Sequence, residues 1–346
     1  MSNNRILIIQ TAFPGDLILT TPLIRATKEK YPQARLTVLV IPETEELLKN
    51  NPYLSEVLIY DKRSKAGKQF VAVLKEIKKR NFDLALTPHR SFRSALLAYG
   101  GGCRRRVGFD TSSGSHLLTD RIKYRLDWHE IERNLSLLHP DGTRPEGLLP
   151  ALYPGTSEFE KVKNFLQKYE TKPDDDLVCI APGSVWATKR WLPQRFAQLA
   201  DWLMQKEQVK VFLIGSKIDH KLAEEISGQM STRPINACGE LSLLESAALI
   251  SKSRLVLSND SAPTHMAVAM KIPVITIFGS TVPEFGFYPY GDGNLVVQKQ
   301  LYCRPCGIHG RKRCPERHFR CMNDINAEEV LEAIQKKLNE KRVQAR

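Results

Sequence analysis

The sequence predicts an α/β protein made of two doubly wound parallel domains, and three observations carry that expectation. Short apolar runs alternate with helix-patterned stretches from Arg5 onward, the pattern of a parallel sheet covered on both faces. The stretch "PDGTRPEGLLPALYPG", from Pro140 to Gly155, then interrupts the alternation with four prolines and three glycines, a linker composition. Beyond it the alternation begins again. At 346 residues the chain is long for one core and comfortable for two.

In the first half, Arg5-Ile6-Leu7-Ile8-Ile9 reads as a buried strand, followed by Leu17, Leu23, Ile24 and Thr27 at helical spacing. "LTVLVI" (Leu36 to Ile41), "VLIY" (Val57 to Tyr60) and "DLALT" (Asp83 to Thr87) read as further strands, with helical stretches around Glu43–Asn50 and Lys68–Lys79. The second half offers "LVCIA" (Leu177 to Ala181), "VKVFLI" (Val209 to Ile214), "LVLS" (Leu255 to Ser258) and "VITIF" (Val274 to Phe278). An amphipathic helix is expected over Ala327–Lys341 behind an Asn326 cap. The domains are accordingly drawn at 1–155 and 156–325, with a C-terminal helix over 326–346. No internal repeat or low-complexity tract is visible.

Open α/β sheets bind ligands outside the carboxyl ends of their strands, so two such domains would share a cleft between facing loops. The first turn, "QTAFPGDLILTTP", carries one glycine and an acid, Asp16, and a carboxylate is a poor phosphate ligand. The corresponding turn of the second half, "APGSVWATKRWLP", suits a diphosphate better: Gly183, the Ser184 hydroxyl, Lys189 and Arg190 precede a proline-started helix. "LSNDSAPTHMAVAM" adds a helix start at Ser261 and Ala262, with Asp260 and His265 beside it. "FGSTVPEFG" would border the same place. A carboxylate placed against a bound diphosphate can take a proton from an acceptor hydroxyl, while the plainer reading makes Asp16 a cap for the helix starting at Leu17. Asp260 has the same plain alternative, and His265 that of an ordinary helix residue.

The net charge of +13 favours a polyanionic partner. Basic residues cluster at Lys62, Arg63, Lys65 and Lys68, at Arg90, Arg93, Arg104, Arg105 and Arg106, and at Arg121, Lys123 and Arg125. No nucleic-acid motif accompanies them. Neither first turn carries G-x-G-x-x-G, which argues against a dehydrogenase. The N-terminus lacks a signal-peptide layout and no run of eighteen apolar residues occurs, so a cytoplasmic protein is expected.

"GDLILTTPLIRAT", "PGSVWATKRWLPQRFAQLA", "LIGSKID" and "NDSAPTHMAVAMKIPVITIFGST", in this order, resemble the bacterial lipopolysaccharide heptosyltransferases of glycosyltransferase family 9, heptosyltransferase II in overall impression, with the particular core heptose left open. "RSFRSALLAYGGGCRRRVGFD" and "HEIERNLSLL" are similar too, so nearly the whole chain is covered. The resemblance implies a GT-B fold: two Rossmann-like domains facing across a cleft, the acceptor held in the N-terminal one and the sugar donor in the C-terminal one. It implies inverting transfer of L-glycero-D-manno-heptose from ADP-heptose to the lipopolysaccharide inner core, without a required cofactor or metal. Asp16 matches the family's base. Ser184, Lys189, Asp260, Ser261, Ala262 and His265 match its donor site. A phosphorylated core acceptor gives Arg90, Arg93, Arg104, Arg105 and Arg106 a ligand and brings the protein to the inner face of the cytoplasmic membrane, with no nucleic-acid partner. One family acid expected after the "FLIG" strand has no clean counterpart, the sequence offering Lys217 and Asp219. Rival readings are another inverting GT-B transferase with a different nucleotide sugar, or a non-catalytic nucleotide or nucleic-acid binder.

Cys303, Cys306, Cys314 and Cys321 follow a C-x2-C-x7-C-x6-C spacing, with His309 and His318 among them. Four thiolates could hold a structural zinc ion, although the middle spacing is short for a zinc ribbon. The alternative is four reduced thiols in a packed loop.

Overall fold

A computed structural model describes residues 5–63 and 66–344, so Lys65 of the first basic cluster lies outside the described residues. The chain forms two compact units, Met1–Tyr153 and Pro154–Arg346, divided inside the proline- and glycine-rich stretch.

Unit 1 holds β1 (Arg5–Ile9), β2 (Arg35–Val40), β3 (Glu56–Ile59), β4 (Leu84–Thr87), β5 (Arg105–Phe109) and β6 (Asp120–Ile122). They pair in parallel in the order β3-β2-β1-β4-β5-β6. Unit 2 holds β7 (Leu177–Ala181), β8 (Lys210–Leu213), β9 (Ile235–Asn236), β10 (Ser253–Asn259), β11 (Val274–Phe278) and β12 (Leu295–Gln298). Its order is β9-β8-β7-β10-β11-β12, again all parallel. Counted from each unit's own first strand, both sheets run 3-2-1-4-5-6, the order of the Rossmann fold. The order in which strands are added reverses between the first and fourth strands, and there a crevice opens at the strands' carboxyl ends.

The central strands are apolar throughout because both faces are covered. Ile6 to Ile9, Leu177 to Ala181 and Leu255 to Leu257 are all buried. Leu7, Ile9, Leu39, Ile77, Phe82 and Leu97 make one core in unit 1. In unit 2 the core gathers Ile180, Trp191, Phe196, Val211, Leu257 and Ile277, and the C-terminal helix Ala327–Gln344 adds Val330, Ile334 and Leu338. That helix is capped as expected: Asn326 Oδ1 accepts the Glu329 amide at 2.9 Å, and the Glu329 carboxylate accepts the Asn326 amide at 3.1 Å.

Two local expectations change. The stretch around Glu43–Asn50 is a 3-10 helix over Pro42–Leu48 rather than an α-helix. The helix expected from Leu17 is two helices, Pro14–Ile18 and Thr21–Lys30. The Thr20 hydroxyl sits at the break and donates to the Asp16 carbonyl at 2.8 Å. No helix among the described residues is long and apolar enough to cross a membrane.

Candidate active site

At the crevice of unit 1, the loop after β1 meets the loop after β4. The Thr11 hydroxyl lies 3.0 Å from His89 Nδ1, and Lys62 Nζ, arriving just past β3, donates to the Thr11 carbonyl at 2.7 Å. Burial, with the Lys62 and Arg90 charges adding to it, pulls His89 down to about 4, so the ring is neutral near pH 7. Burial, reinforced by Arg63, also holds the Lys62 ammonium below its ordinary value. Asp16 lies in the first turn of the Pro14–Ile18 helix, where a negative charge suits the macrodipole. The N-cap position belongs to Phe13, so Asp16 is not the cap that the plainer sequence reading made it.

Arg90 and Arg93 follow β4 at the same end. The Arg90 guanidinium lies 3.9 Å from the centroid of the Tyr124 ring, a cation–π stack. Tyr124 is itself anchored: its hydroxyl donates to Glu130 Oε2 at 2.9 Å and accepts from Arg133 Nη1 at 3.0 Å. The segment "HEIERN" supplies these anchors. His129 caps the Glu130–Ser136 helix, Glu130 and Arg133 form a buried pair at 3.1 Å, and the Asn134 amide donates to the Leu19 carbonyl at 3.1 Å. Burial raises the Glu130 carboxyl, with the Arg133 charge opposing it.

Arg104, Arg105 and Arg106 do not join this group. Arg105 opens β5, in register with Leu84, which pairs in turn with Ile6 near the start of β1, so the cluster sits at the amino end of the strands. Its charges are also engaged. Arg105 forks onto Asp120 at 2.9 and 3.2 Å, Arg104 pairs with Asp83 at 3.4 Å, and Arg106 donates to the carbonyls of Leu117 and Cys103. These three arginines stitch β5 to its neighbours at the end of the sheet away from the crevice where Arg90 and Arg93 lie. A cavity of about 480 Å³ opens at this same amino end, lined by Arg5, Arg35, Glu56, Lys79 and Arg80.

At the crevice of unit 2, the loop Pro182–Trp191 leaves β7 and is held at both ends by one buried side chain from β10. Asn259 donates through Nδ2 to the Pro182 carbonyl at 2.7 Å, and its Oδ1 accepts the Trp191 amide at 3.1 Å. Within the loop, Arg190 Nε donates to the Ser184 carbonyl at 2.7 Å. Lys189 Nζ lies 2.6 Å from Asp260 Oδ2, and the Thr281 hydroxyl donates to the same oxygen at 2.6 Å. With 13% and 9% of their side chains exposed, Lys189 and Asp260 form a largely buried ion pair. Asp260 is therefore a charge partner and not a helix cap. Ser261 occupies the cap position of the Ala262–Ala269 helix, but its hydroxyl donates back to the Asn259 carbonyl at 3.2 Å and caps no amide. His265, one turn in, is buried and its Nδ1 has no hydrogen-bond partner. Burial lowers it to about 4, against the pull of Asp260.

Asp219, offered by the sequence without a settled role, caps the turn after β8 by accepting from the Ser216 amide at 2.9 Å and hydroxyl at 2.7 Å. Its carboxylate reaches the loop after β7: a methyl group on Gly183 would lie 2.3 Å from Asp219 Oδ1. Glycine at position 183 is what admits it.

The structure thus groups Ser184, Lys189, Asp260, Ser261, Ala262 and His265 at one crevice, and Asp16, Arg90 and Arg93 at the other. Sequence reasoning missed Asn259, Thr281, Thr188 and Ser280 in unit 2, and Thr11, His89, Tyr124, Glu130 and Arg133 in unit 1. Asn259 stood in plain view within "SNDS", where a polar side chain closing an apolar strand was the available signal. The cysteines are free thiols, with Cys321 buried in the core and Cys303 Sγ 3.8 Å from His318 Nε2. Among the described residues, no group of three or more His, Cys, Asp or Glu side chains is disposed to hold a metal ion, so the zinc reading gains no geometric support.

Two Rossmann-like units, each with its polar loops at the crevice between first and fourth strands, make the architecture of a GT-B glycosyltransferase. The chain belongs to glycosyltransferase family 9, the heptosyltransferase family, whose model matches residues 70–318. It is 28% identical to lipopolysaccharide heptosyltransferase 3 of Escherichia coli (strain K12) over 339 residues, covering 95% of this chain and 96% of the relative. It is 27% identical to lipopolysaccharide heptosyltransferase 2 of the same strain over 301 residues, covering 81% and 84%. Among solved structures, a family 9 glycosyl transferase from Veillonella parvula DSM 2008 superposes with a TM-score of 0.86 at 23% identity, covering 98% of this chain and 99% of that one.

Proposed function

We propose that this enzyme transfers L-glycero-D-manno-heptose from ADP-heptose to a phosphorylated inner-core acceptor of lipopolysaccharide, with inversion at the anomeric carbon. The observation that carries the reading is Lys189, in the loop after the first strand of unit 2, paired with Asp260 beside the helix start that follows the fourth strand. A cation held there meets a diphosphate, and the first amides of the Ala262–Ala269 helix add the positive end of its dipole.

Asp16 takes the proton of the acceptor hydroxyl as that oxygen bonds to the anomeric carbon, and the bond from that carbon to the diphosphate breaks. Negative charge then grows on departing ADP. Lys189 and the helix start stabilise it, with Ser184 as a hydroxyl ligand and no metal ion called on. Asp260 holds Lys189 in place, and His265 lies behind the same helix turn as a neutral ring. Arg90 and Arg93 meet phosphates of the acceptor, Arg90 being aimed by its stack on Tyr124. A phosphorylated glycolipid acceptor and a net charge of +13 together suit a cytoplasmic protein that visits the inner leaflet of the membrane.

Asp16→Asn tests the chemistry. Free ADP is measured after mixing ADP-heptose, core acceptor and enzyme, alongside melting temperature and ADP affinity. Single-turnover rate falls by about 10²–10⁴-fold, the usual worth of a positioned base, with melting temperature and ADP affinity held. An active Asp16→Asn enzyme sinks the mechanism. Turnover of another nucleotide sugar in preference to ADP-heptose overturns the donor assignment.

A further inference from the structure

The cysteine-bearing segment past β12 packs against the loop that carries Lys189. It is tied to Thr188, which precedes Lys189, and to Thr281, which holds the ion-pair partner Asp260. On one side, the buried Thr188 hydroxyl donates to the Arg311 carbonyl at 3.0 Å, accepts the Arg311 amide at 2.7 Å and lies 2.9 Å from the Ser280 hydroxyl. The Thr188 amide donates to the same Arg311 carbonyl at 3.1 Å. On the other side, Arg304 Nη2 donates to the Thr281 carbonyl at 2.6 Å, and Thr281 in turn holds Asp260. The Cys306 amide donates to the Ser280 carbonyl at 3.0 Å, and Arg311 Nε donates to the Cys306 carbonyl at 2.8 Å, closing the segment on itself. Gly310 passes closest: it has φ +86, and a methyl group there would lie 3.1 Å from Lys189 Cγ and 3.2 Å from Thr188 Oγ1.

We propose that the segment from Arg304 to Arg311 is a positioning element for Lys189, fixing the preceding residue through Thr188 and the counter-charge through Thr281 and Asp260. The inference rests on the reading of Lys189 as the cation for the donor diphosphate. Lysine is a flexible point charge on a four-carbon stem, and a charge that must meet a developing negative oxygen gains from being held in one place beforehand. Thr188 and Gly310 touch no reacting atom in this scheme and act through Lys189.

The test uses the full-length protein, with ADP as the binding probe and ADP-heptose turnover as the assay. Thr188→Val removes the hydroxyl at constant shape. ADP binding weakens about 10-fold and kcat/KM for the donor falls by about 10–100-fold, the scale of a displaced catalytic group, while KM for the acceptor is unchanged. Thr188→Ser restores both, because the hydroxyl and not the methyl group makes the contacts. Gly310→Ala gives the same donor-specific loss at a less buried position, and it decides the matter if Thr188→Val does not fold. Lys189→Ala runs in parallel. Wild-type ADP affinity and turnover in Gly310→Ala or in folded Thr188→Val, with Lys189→Ala impaired, overturns the positioning role and leaves Lys189 in the site. Unchanged ADP affinity in Lys189→Ala as well removes the reading on which the inference stands.

Discussion

The Lys189–Asp260 pair allows an energetic test that needs no substrate. At 2.6 Å, with an effective dielectric near 20, the direct attraction is of the order of 6 kcal/mol, most of it offset by taking both charges out of water. Breaking such a pair from one side is what costs: Asp260→Asn leaves the ammonium beside a neutral amide, for a loss of about 3 kcal/mol. Lys189→Met leaves a buried carboxylate held by the Thr281 hydroxyl and without its cation, at a similar cost. In the double variant both charges are gone, so stability returns to within about 1 kcal/mol of wild type. Urea unfolding followed by tryptophan fluorescence reads this out, since Trp186, Trp191 and Trp202 lie in unit 2 and only Trp128 in unit 1. For a unit of this size the single variants melt roughly 6–12 °C lower. ADP then stabilises Asp260→Asn more than wild type, because the diphosphate gives an unpaired ammonium its partner. Additive single costs, or a loss well under 1 kcal/mol in Asp260→Asn, would refute the view of a buried, coupled pair.

Three further outcomes follow from the geometry. His265 is neutral in the folded chain down to about 4 and takes a proton near 6.5 when unfolded, so it contributes nothing to the pH dependence of stability above pH 6.5 and removes stability as pH falls from there to 4, by about 3 kcal/mol in all. Wild type and His265→Gln should therefore converge in stability over that window, and parallel unfolding curves would contradict the assignment. Gly183→Ala forces its methyl group onto the Asp219 carboxylate and is expected to cost about 1–3 kcal/mol by urea unfolding, relieved in the Gly183→Ala/Asp219→Ala double variant. Charge reversal at Arg105, whose side chain is 42% exposed, removes an edge pair worth at most about 1 kcal/mol and leaves acceptor KM unchanged, whereas Arg90→Ala raises acceptor KM.

The central strands were legible in the sequence because burial on both faces writes them as apolar runs; β1, β7, β10 and β11 have no other reading. The edge strand β3 was also legible, as "VLIY", but three others were not: β5, inside its sheet, begins with Arg105 and Arg106, and the edge strands β9 and β6 are two and three residues long, too short for any periodicity to register. The loop after β7 was legible through its residue types, since glycine, hydroxyl and cation before a helix is a local signal. What ties that loop down is non-local: Asn259 lies 77 positions from Pro182 and Arg311 lies 123 from Thr188, separations that no local pattern reports. The position of the Arg104–Arg106 run was hidden for a related reason. Composition counts charges, but only strand register shows at which end of a sheet they lie and which carboxylates already hold them.

One amide group, that of Asn259, closes the Pro182–Trp191 loop into a ring. Ordering eight intervening residues costs backbone entropy of roughly 1–2 kcal/mol each, and here that cost is met when unit 2 folds rather than when a nucleotide arrives. Away from Gly183 and Thr188, the loop can then vary in composition without losing its shape, while an insertion or deletion between its two anchors would break the ring. Substitution, not length change, is the route by which what this loop holds can be retuned.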